Sequence, residues 1–239
     1  MTVSYLSRDG IATITLNRAE ARNAVNLALC DALIDAAGRA AADAGVRVVL
    51  VRANGPAFCA GADLKERQGM SEAQVRERRA RGFAAYAALE ALPMPAIAVV
   101  HGPAVGSGCE IAAACDFIVA TPEASFRTPE ALRGTVGATQ RLPRVLGKRL
   151  AKDMMFTGRV LSAEEARQAG FVTRIVASEE LEREILGMTE IILKGQPQAL
   201  RLAKRAIDRG VELDPQGALE AELEAIEEQL ASGQWMGKR

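Results

Sequence analysis

Two loops poor in side chains are the first features of this 239-residue sequence that could do chemistry: Phe58-Cys59-Ala60-Gly61-Ala62-Asp63-Leu64 and Gly102-Pro103-Ala104-Val105-Gly106-Ser107-Gly108-Cys109-Glu110. Each leads toward a helix. Loops of this kind let a backbone approach a ligand closely, and the first N–H groups of a helix have no partner within it. Two such donors aimed at one oxygen would make an oxyanion hole, each contributing on the order of 3 kcal/mol to stabilising a developing negative charge. A tight turn that needs glycine for steric reasons accounts for either loop equally well.

Other motifs fail at identifiable positions. Gly106-Ser107-Gly108-Cys109-Glu110-Ile111 carries Ile where a dinucleotide fingerprint needs a small residue for close helix–strand packing. No Gly-Lys-Ser/Thr follows Gly55 to Gly61, so the P-loop chemistry of lysine and magnesium is missing. Ser107 has Val105 two positions before it rather than glycine, and the only histidine, His101, precedes the serine loop; nothing supports a serine hydrolase. Cys30, Cys59, Cys109 and Cys115 contain no C-x-x-C pair and, with a single histidine, offer no zinc spacing. We read them as small hydrophobes of a reducing compartment.

Charge and composition narrow the class further. Thirty Lys+Arg balance thirty Asp+Glu, and six Phe, two Tyr and one Trp give few stacking surfaces, so no nucleic acid partner is expected. No leader-like stretch opens the chain, and the apolar runs stop short of the roughly 18 residues a span needs. The expectation is a protein with no membrane partner, located in the cytoplasm.

The elements that must position the loops follow from periodicity. Val3 to Ser7 and Ile11 to Leu16, joined by Asp9-Gly10, read as a hairpin. Leu29, Leu33, Ala36/Ala37 and Ala40 recur at helical spacing before Gly45, and Val46 to Val51 reads as a strand buried on both faces. Ser71 with Gln74 has the capping-box spacing and opens a polar helix that runs to Leu92, before Pro93 and Pro95. Ala96 to His101 reads as a strand, Glu110 to Cys115 as a helix, and Phe117 to Ala120 as a further strand. Beyond Pro129 the pattern is mainly helical, with a β run at Phe171 to Val176, caps at Ser162 (with Glu165) and Ser178, and an acidic amphipathic helix from Pro215 to Leu230. This is one α/β core over residues 1–190, with a helical C-terminal region over 191–239.

Taken together the loops and their neighbours resemble the crotonase, or enoyl-CoA hydratase/isomerase, superfamily. The residues that carry the likeness are Ile14 to Leu16 with Asn23-Ala24, Phe58 to Leu64, Gly102 to Asp116, Phe126 to Glu130, Thr139-Gln140-Arg141-Leu142, and Thr157-Gly158 through Ser162-Ala163 and Glu165-Ala166 to Gly170 and Val172. The resemblance implies repeated β-β-α turns with two sheets at a steep angle. It also implies a helical C-terminal region that assembles trimers, or dimers of trimers. By the same resemblance the N–H groups of Ala62 and Ser107 hold a thioester oxygen, and Glu110 and Glu130 are the catalytic pair. Arg22, Asn23, Ala24, Ala60, Gly61 and Lys65 would neighbour coenzyme A, which enters as part of the substrate; no separate cofactor and no metal are implied.

The implied reaction is reversible syn hydration of a trans-2-enoyl-CoA to a 3-hydroxyacyl-CoA, as in fatty acid β-oxidation or aromatic acid degradation. The chemistry agrees with it: water addition needs a base near the β carbon, an acid at the α carbon and stabilisation of the enolate between them. Alternatives are shifting a 3-enoyl double bond with one shuttling base, and a non-catalytic CoA-binding or assembly subunit. Taken singly, Glu110 reads as a charge at a helix start, Glu130 as an exposed residue after Pro129, and Lys65 as a solvated cation. Arg76 to Arg81 holds four arginines in six residues; a solvated helix face is the plain reading and a rim near the acyl pocket the alternative. Two departures from the family stand out. The stretch between Glu130 and Thr139 is short, and Ser232 to Arg239 stands where a longer tail with a further helix is usual.

Overall fold

The computed structural model describes residues 1–233; the expected change of tail at 234–239 lies outside them. In chain order the elements are β1 (Val3–Arg8), β2 (Ile11–Leu16), a short 3-10 turn (Ala19–Ala21), α1 (Leu27–Ala42), β3 (Val48–Ala53), α2 (Glu72–Glu90), β4 (Ala96–Val100), β5 (Pro103–Val105), α3 (Ser107–Ala113), β6 (Phe117–Ala120) and β7 (Ser125–Arg127). A second 3-10 turn (Ala131–Arg133) precedes α4 (Arg141–Thr157), β8 (Val160–Ser162), α5 (Ala163–Gln168), β9 (Arg174–Ile175), α6 (Leu181–Lys194), α7 (Pro197–Gly210) and α8 (Pro215–Ala231).

Two sheets form. The larger has the order β1-β2-β3-β4-β6-β9, with β1 antiparallel and the rest parallel, and the smaller is β5-β7-β8. Alternation along the large sheet sorts its side chains. Val49, Val51, Ala96, Ala98, Val100 and Ile118 pack with α1, α2 and α3 in one apolar cluster, while Val48, Leu50, Ile97, Val99 and Val119 pack under Leu181, Ile185 and Met188 of α6 in another. The unbroken Val/Leu run of β3 is therefore buried on both faces, as its composition predicts. Position 190 falls inside α6; beyond it α7 and α8 form an antiparallel hairpin joined by Arg205–Glu228 and Arg209–Glu224 ion pairs.

Three local expectations need correction. The helix after the second loop starts at Ser107, not Glu110, because Gly106 at φ 51° and ψ −106° turns the chain straight from β5 into α3. Of Phe171 to Val176 only Arg174–Ile175 pairs as a strand; Phe171 and Val172 turn into the core. Ser178 does not cap α6: its hydroxyl donates to Glu123 Oε2 at 2.8 Å, and Glu180 occupies the N-cap. The capping boxes at Ser71 and Ser162 are both formed, with Gln74 and Glu165 reaching back to the cap N–H. Among the described residues no helix is long and apolar enough to cross a membrane.

Candidate active site

The first loop is pinned from two sides. Cys59 bridges Ala104 in parallel fashion, its N–H donating to Pro103 O (3.1 Å) while Val105 N donates back to Cys59 O (2.8 Å). Three residues on, Ala62 bridges Val25: Val25 N donates to Gly61 O and Asp63 N to Val25 O, each at 2.8 Å. In a parallel bridge the flanking peptides make the bonds, so the N–H of Ala62 itself faces the opposite side. Among the described residues it donates to no protein acceptor. Gly61 is required there by its φ of 95° and because a Cβ would sit 3.0 Å from Val105 O.

The second loop frees its donor by another route. Ser107 is the first residue of α3, so its N–H is one of the helix's orphan donors, and it has no protein acceptor either. Gly108 lies so close to the first loop that a Cβ would be 2.5 Å from Cys59 O, which locks the two loops side by side. One helical turn after Ser107, Glu110 is 6% exposed. Glu130, after β7 and Thr128-Pro129, reaches back over Gly106, where a Cβ would stand 1.9 Å from its Oε1. Its Oε2 is buried with no hydrogen-bond partner.

Ala60, Gly61, Ala62, Ser107, Glu110 and Glu130 therefore line one cavity of about 280 Å³, at the lower end of small-molecule sites. A larger cavity of about 1030 Å³ between the end of α2, α7 and α8 contains none of the predicted residues. The remaining four stand outside the wall. Arg22 and Lys65 are exposed at corners, and Ala24 lends its carbonyl to Arg18. Asn23 is fully buried and its side chain is spent on the fold, accepting from Arg18 N and donating to Asn54 O (2.8 Å) and Ala57 O (2.9 Å), so it shapes the loop in which Arg22 and Ala24 stand.

Burial governs the electrostatics. It pushes the Glu110 carboxyl up to about 7, opposed by the Arg141 guanidinium 3.8 Å away and reinforced by Glu130. Glu130 is raised too, again chiefly by burial, with the charges of Arg133 and Arg79 pulling the other way. Both carboxyls are thus biased toward their protonated forms, and a coupled pair of this kind can give and take protons on one substrate. Burial also governs the thiols: it pushes Cys30, which lines the same cavity, up to about 11 and Cys59 up to about 12, leaving both as packing groups.

Sequence reasoning touched the wall opposite the loops only through its alternative for Arg76 to Arg81, a rim near the acyl pocket, and missed the rest. Arg141 ties Glu110 to Glu90, which accepts from it at 2.7 Å, and lies 5.9 Å over the ring of Tyr86. On α2, Val75, Arg78, Arg79, Gly82, Phe83 and Tyr86 line the cavity at spacings of three and four residues. That helical stripe was the signal available in the sequence. Asp63 was also missed: its burial would raise the carboxyl, but hydrogen bonds from Glu66 N, Arg18 and Lys65 N hold it below the ordinary value and fix the exit of the first loop.

Comparison with known proteins gives a consistent result. A family model described as Enoyl-CoA hydratase/isomerase matches residues 7–235. Enoyl-CoA hydratase domain-containing protein 2, mitochondrial, of Mus musculus is 43% identical over 215 residues, covering 86% of this chain and 72% of that protein. The crotonyl-CoA hydratase of Syntrophomonas wolfei is 36% identical over 220 residues, covering 90% and 85%. The crystal structure of an enoyl-CoA hydratase from Bacillus anthracis superposes with a TM-score of 0.91 at 38% identity, covering 95% of this chain and 90% of that one. The expected crotonase-type fold is the fold observed.

Proposed function

The chain belongs to the enoyl-CoA hydratase/isomerase family of the crotonase superfamily, and from that premise we propose that it adds water reversibly and syn across the double bond of a trans-2-enoyl-CoA. The thioester oxygen accepts from the N–H groups of Ala62 and Ser107. One ionised carboxyl of the Glu110–Glu130 pair takes a proton from water as its oxygen bonds to the β carbon. The electron pair of the double bond moves to the enolate oxygen, where the two N–H dipoles stabilise it. Glu130, protonated, then delivers a proton to the α carbon. The pair takes one proton and gives one back, so only water is consumed. Coenzyme A is part of the substrate, and no further cofactor takes part.

The observation that carries this reading is that two carboxyls rather than one, Glu110 buried and Glu130 half-buried, share the cavity with two unpartnered N–H groups. Isomerisation of a 3-enoyl-CoA uses the same oxyanion hole with a single shuttling base. Offering the purified protein 2-enoyl- and 3-enoyl-CoA substrates separates the two. The expected result is hydration of the first, lost by about 10²- to 10⁴-fold in Glu110→Gln with folding intact; full hydratase activity in that variant ends the mechanism. For assembly we propose a homotrimer or dimer of trimers, since the α7–α8 hairpin exposes Ile207, Val211, Leu219 and Leu223, an apolar surface a subunit interface would cover. Light scattering on the purified protein reads it directly.

A further inference from the structure

The arginine cluster at the start of α2 divides in an informative way. Arg76 pairs with Glu72 (3.6 Å), Arg78 with Glu66 (2.6 Å) and Arg81 with Asp31. Arg79 alone among the four has no carboxylate partner within the described residues, and it faces the active cavity. One Nη donates to Val136 O at 2.9 Å, which fixes the side chain across the short stretch after Glu130. Arg133, on the 3-10 turn of that same stretch, also lines the cavity without an ion pair, as does Arg67. The charges of Arg79 and Arg133 are both felt by Glu130. Phe83 and Val136 line the same cavity at its solvent-facing side, so the guanidinium groups stand at an apolar rim.

We propose that this wall selects an acyl group that ends in a carboxylate, so that the preferred substrate is the CoA thioester of a short unsaturated dicarboxylic acid. This rests on the reading of the cavity as an enoyl-thioester site. A guanidinium with free donors in a partly closed pocket offers bidentate hydrogen bonding to a carboxylate, and it gains nothing from a terminal methyl. The cavity of about 280 Å³ suits a short chain. With the thioester oxygen at Ala62 and Ser107 and the reacting carbons at Glu110 and Glu130, Arg79 and Arg133 are the cavity cations whose charges reach Glu130, and Arg79 is held there through Val136, next to the Gly137 that abuts Glu130.

The test compares 4-carboxybut-2-enoyl-CoA with pent-2-enoyl-CoA, which differ by a carboxylate in place of a methyl. In parallel, calorimetry measures binding of their saturated counterparts, 4-carboxybutanoyl-CoA and pentanoyl-CoA, and of free CoA. The expected result is a preference of about tenfold or more for the carboxylated member in both kcat/KM and Kd. That ratio should collapse in Arg79→Gln and in Arg133→Gln, be partly kept in Arg79→Lys, and leave the Kd of free CoA unmoved. Equal binding of the two saturated thioesters overturns the proposal. So does a loss in Arg79→Gln that free CoA shares, because the guanidinium would then be holding a phosphate of the nucleotide. If neither enoyl thioester is hydrated while the saturated pair still shows the preference, the hydratase reading fails and the carboxylate site stands.

Discussion

The two glycine-rich loops reach one outcome, an unpartnered N–H beside the cavity, by different physics. In the first loop the donor is freed by one-sided pairing: Ala62 sits in a parallel bridge with Val25, and the bonds are made by its neighbours. In the second loop the donor is freed by helix geometry, Ser107 being the first residue of α3. The difference decides what else each loop can supply. A bridge holds backbone only, and the first loop contributes no acid or base to the cavity. A helix start also projects a side chain one turn later into the same space, and that side chain is Glu110. In the proposed oxyanion hole one loop therefore supplies only backbone, while the proposed acid–base group rides on the other.

Substitutions of the paired glycines break this comparison most sharply. Gly106→Ala places a methyl 1.9 Å from Glu130 Oε1 at a positive φ; the flexible carboxyl swings away and the helix start is strained. A loss of about 10²- to 10³-fold in kcat is expected, measured by the hydration assay, with a modest change in melting temperature. Gly61→Ala instead meets the Val105 carbonyl, which cannot swing away, so its larger effect should be on the melting temperature. If the two variants behave alike, the loops are not supported by different means.

A smaller effect follows from the carboxyl on the helix side. Glu110 is raised in the folded state to about 7 from an ordinary value of 4.5, so the folded protein holds its proton over a window in which the unfolded chain has released it. The native state binds more protons there, and stability is full below about pH 4.5 and falls as pH rises through about 7. Glu110→Gln removes the titrating group. At pH 8 it should raise stability relative to the parent, by about 3 kcal/mol at most, and much less at pH 5. Denaturant unfolding at the two pH values reads this, and an equal change at both would show that burial of the charge is not what shifts the group. No such dependence is expected from the first loop.

The smallest effect should come from Ser107→Ala. The donor is main chain, and the hydroxyl's contact is with the Tyr86 phenol, so hydration should change by only a few-fold. A loss as large as that of Gly106→Ala would mean the Ser107 side chain, not its backbone, carries the second loop's contribution.

What the sequence determined by itself was the local grammar. The hairpin of β1 and β2, the doubly buried β3, the capping boxes at Ser71 and Ser162, and the two side-chain-poor loops all follow from composition and spacing within a few residues. The short strands β5, β7 and β8 did not, because three residues are too few to show alternation; they exist by pairing with one another across the chain. The ionic partners in the opposite wall of the site were hidden for another reason. Nothing near Arg141 in sequence marks it as the partner of Glu110, and nothing in the run Arg76 to Arg81 tells Arg79 from its neighbours. Their roles depend on distances between groups far apart in the chain, on burial that moves Glu110 to about 7, and on which arginine finds a carboxylate and which faces the cavity without one. Tertiary packing alone sets those quantities, since desolvation and charge proximity do not exist until the segments meet.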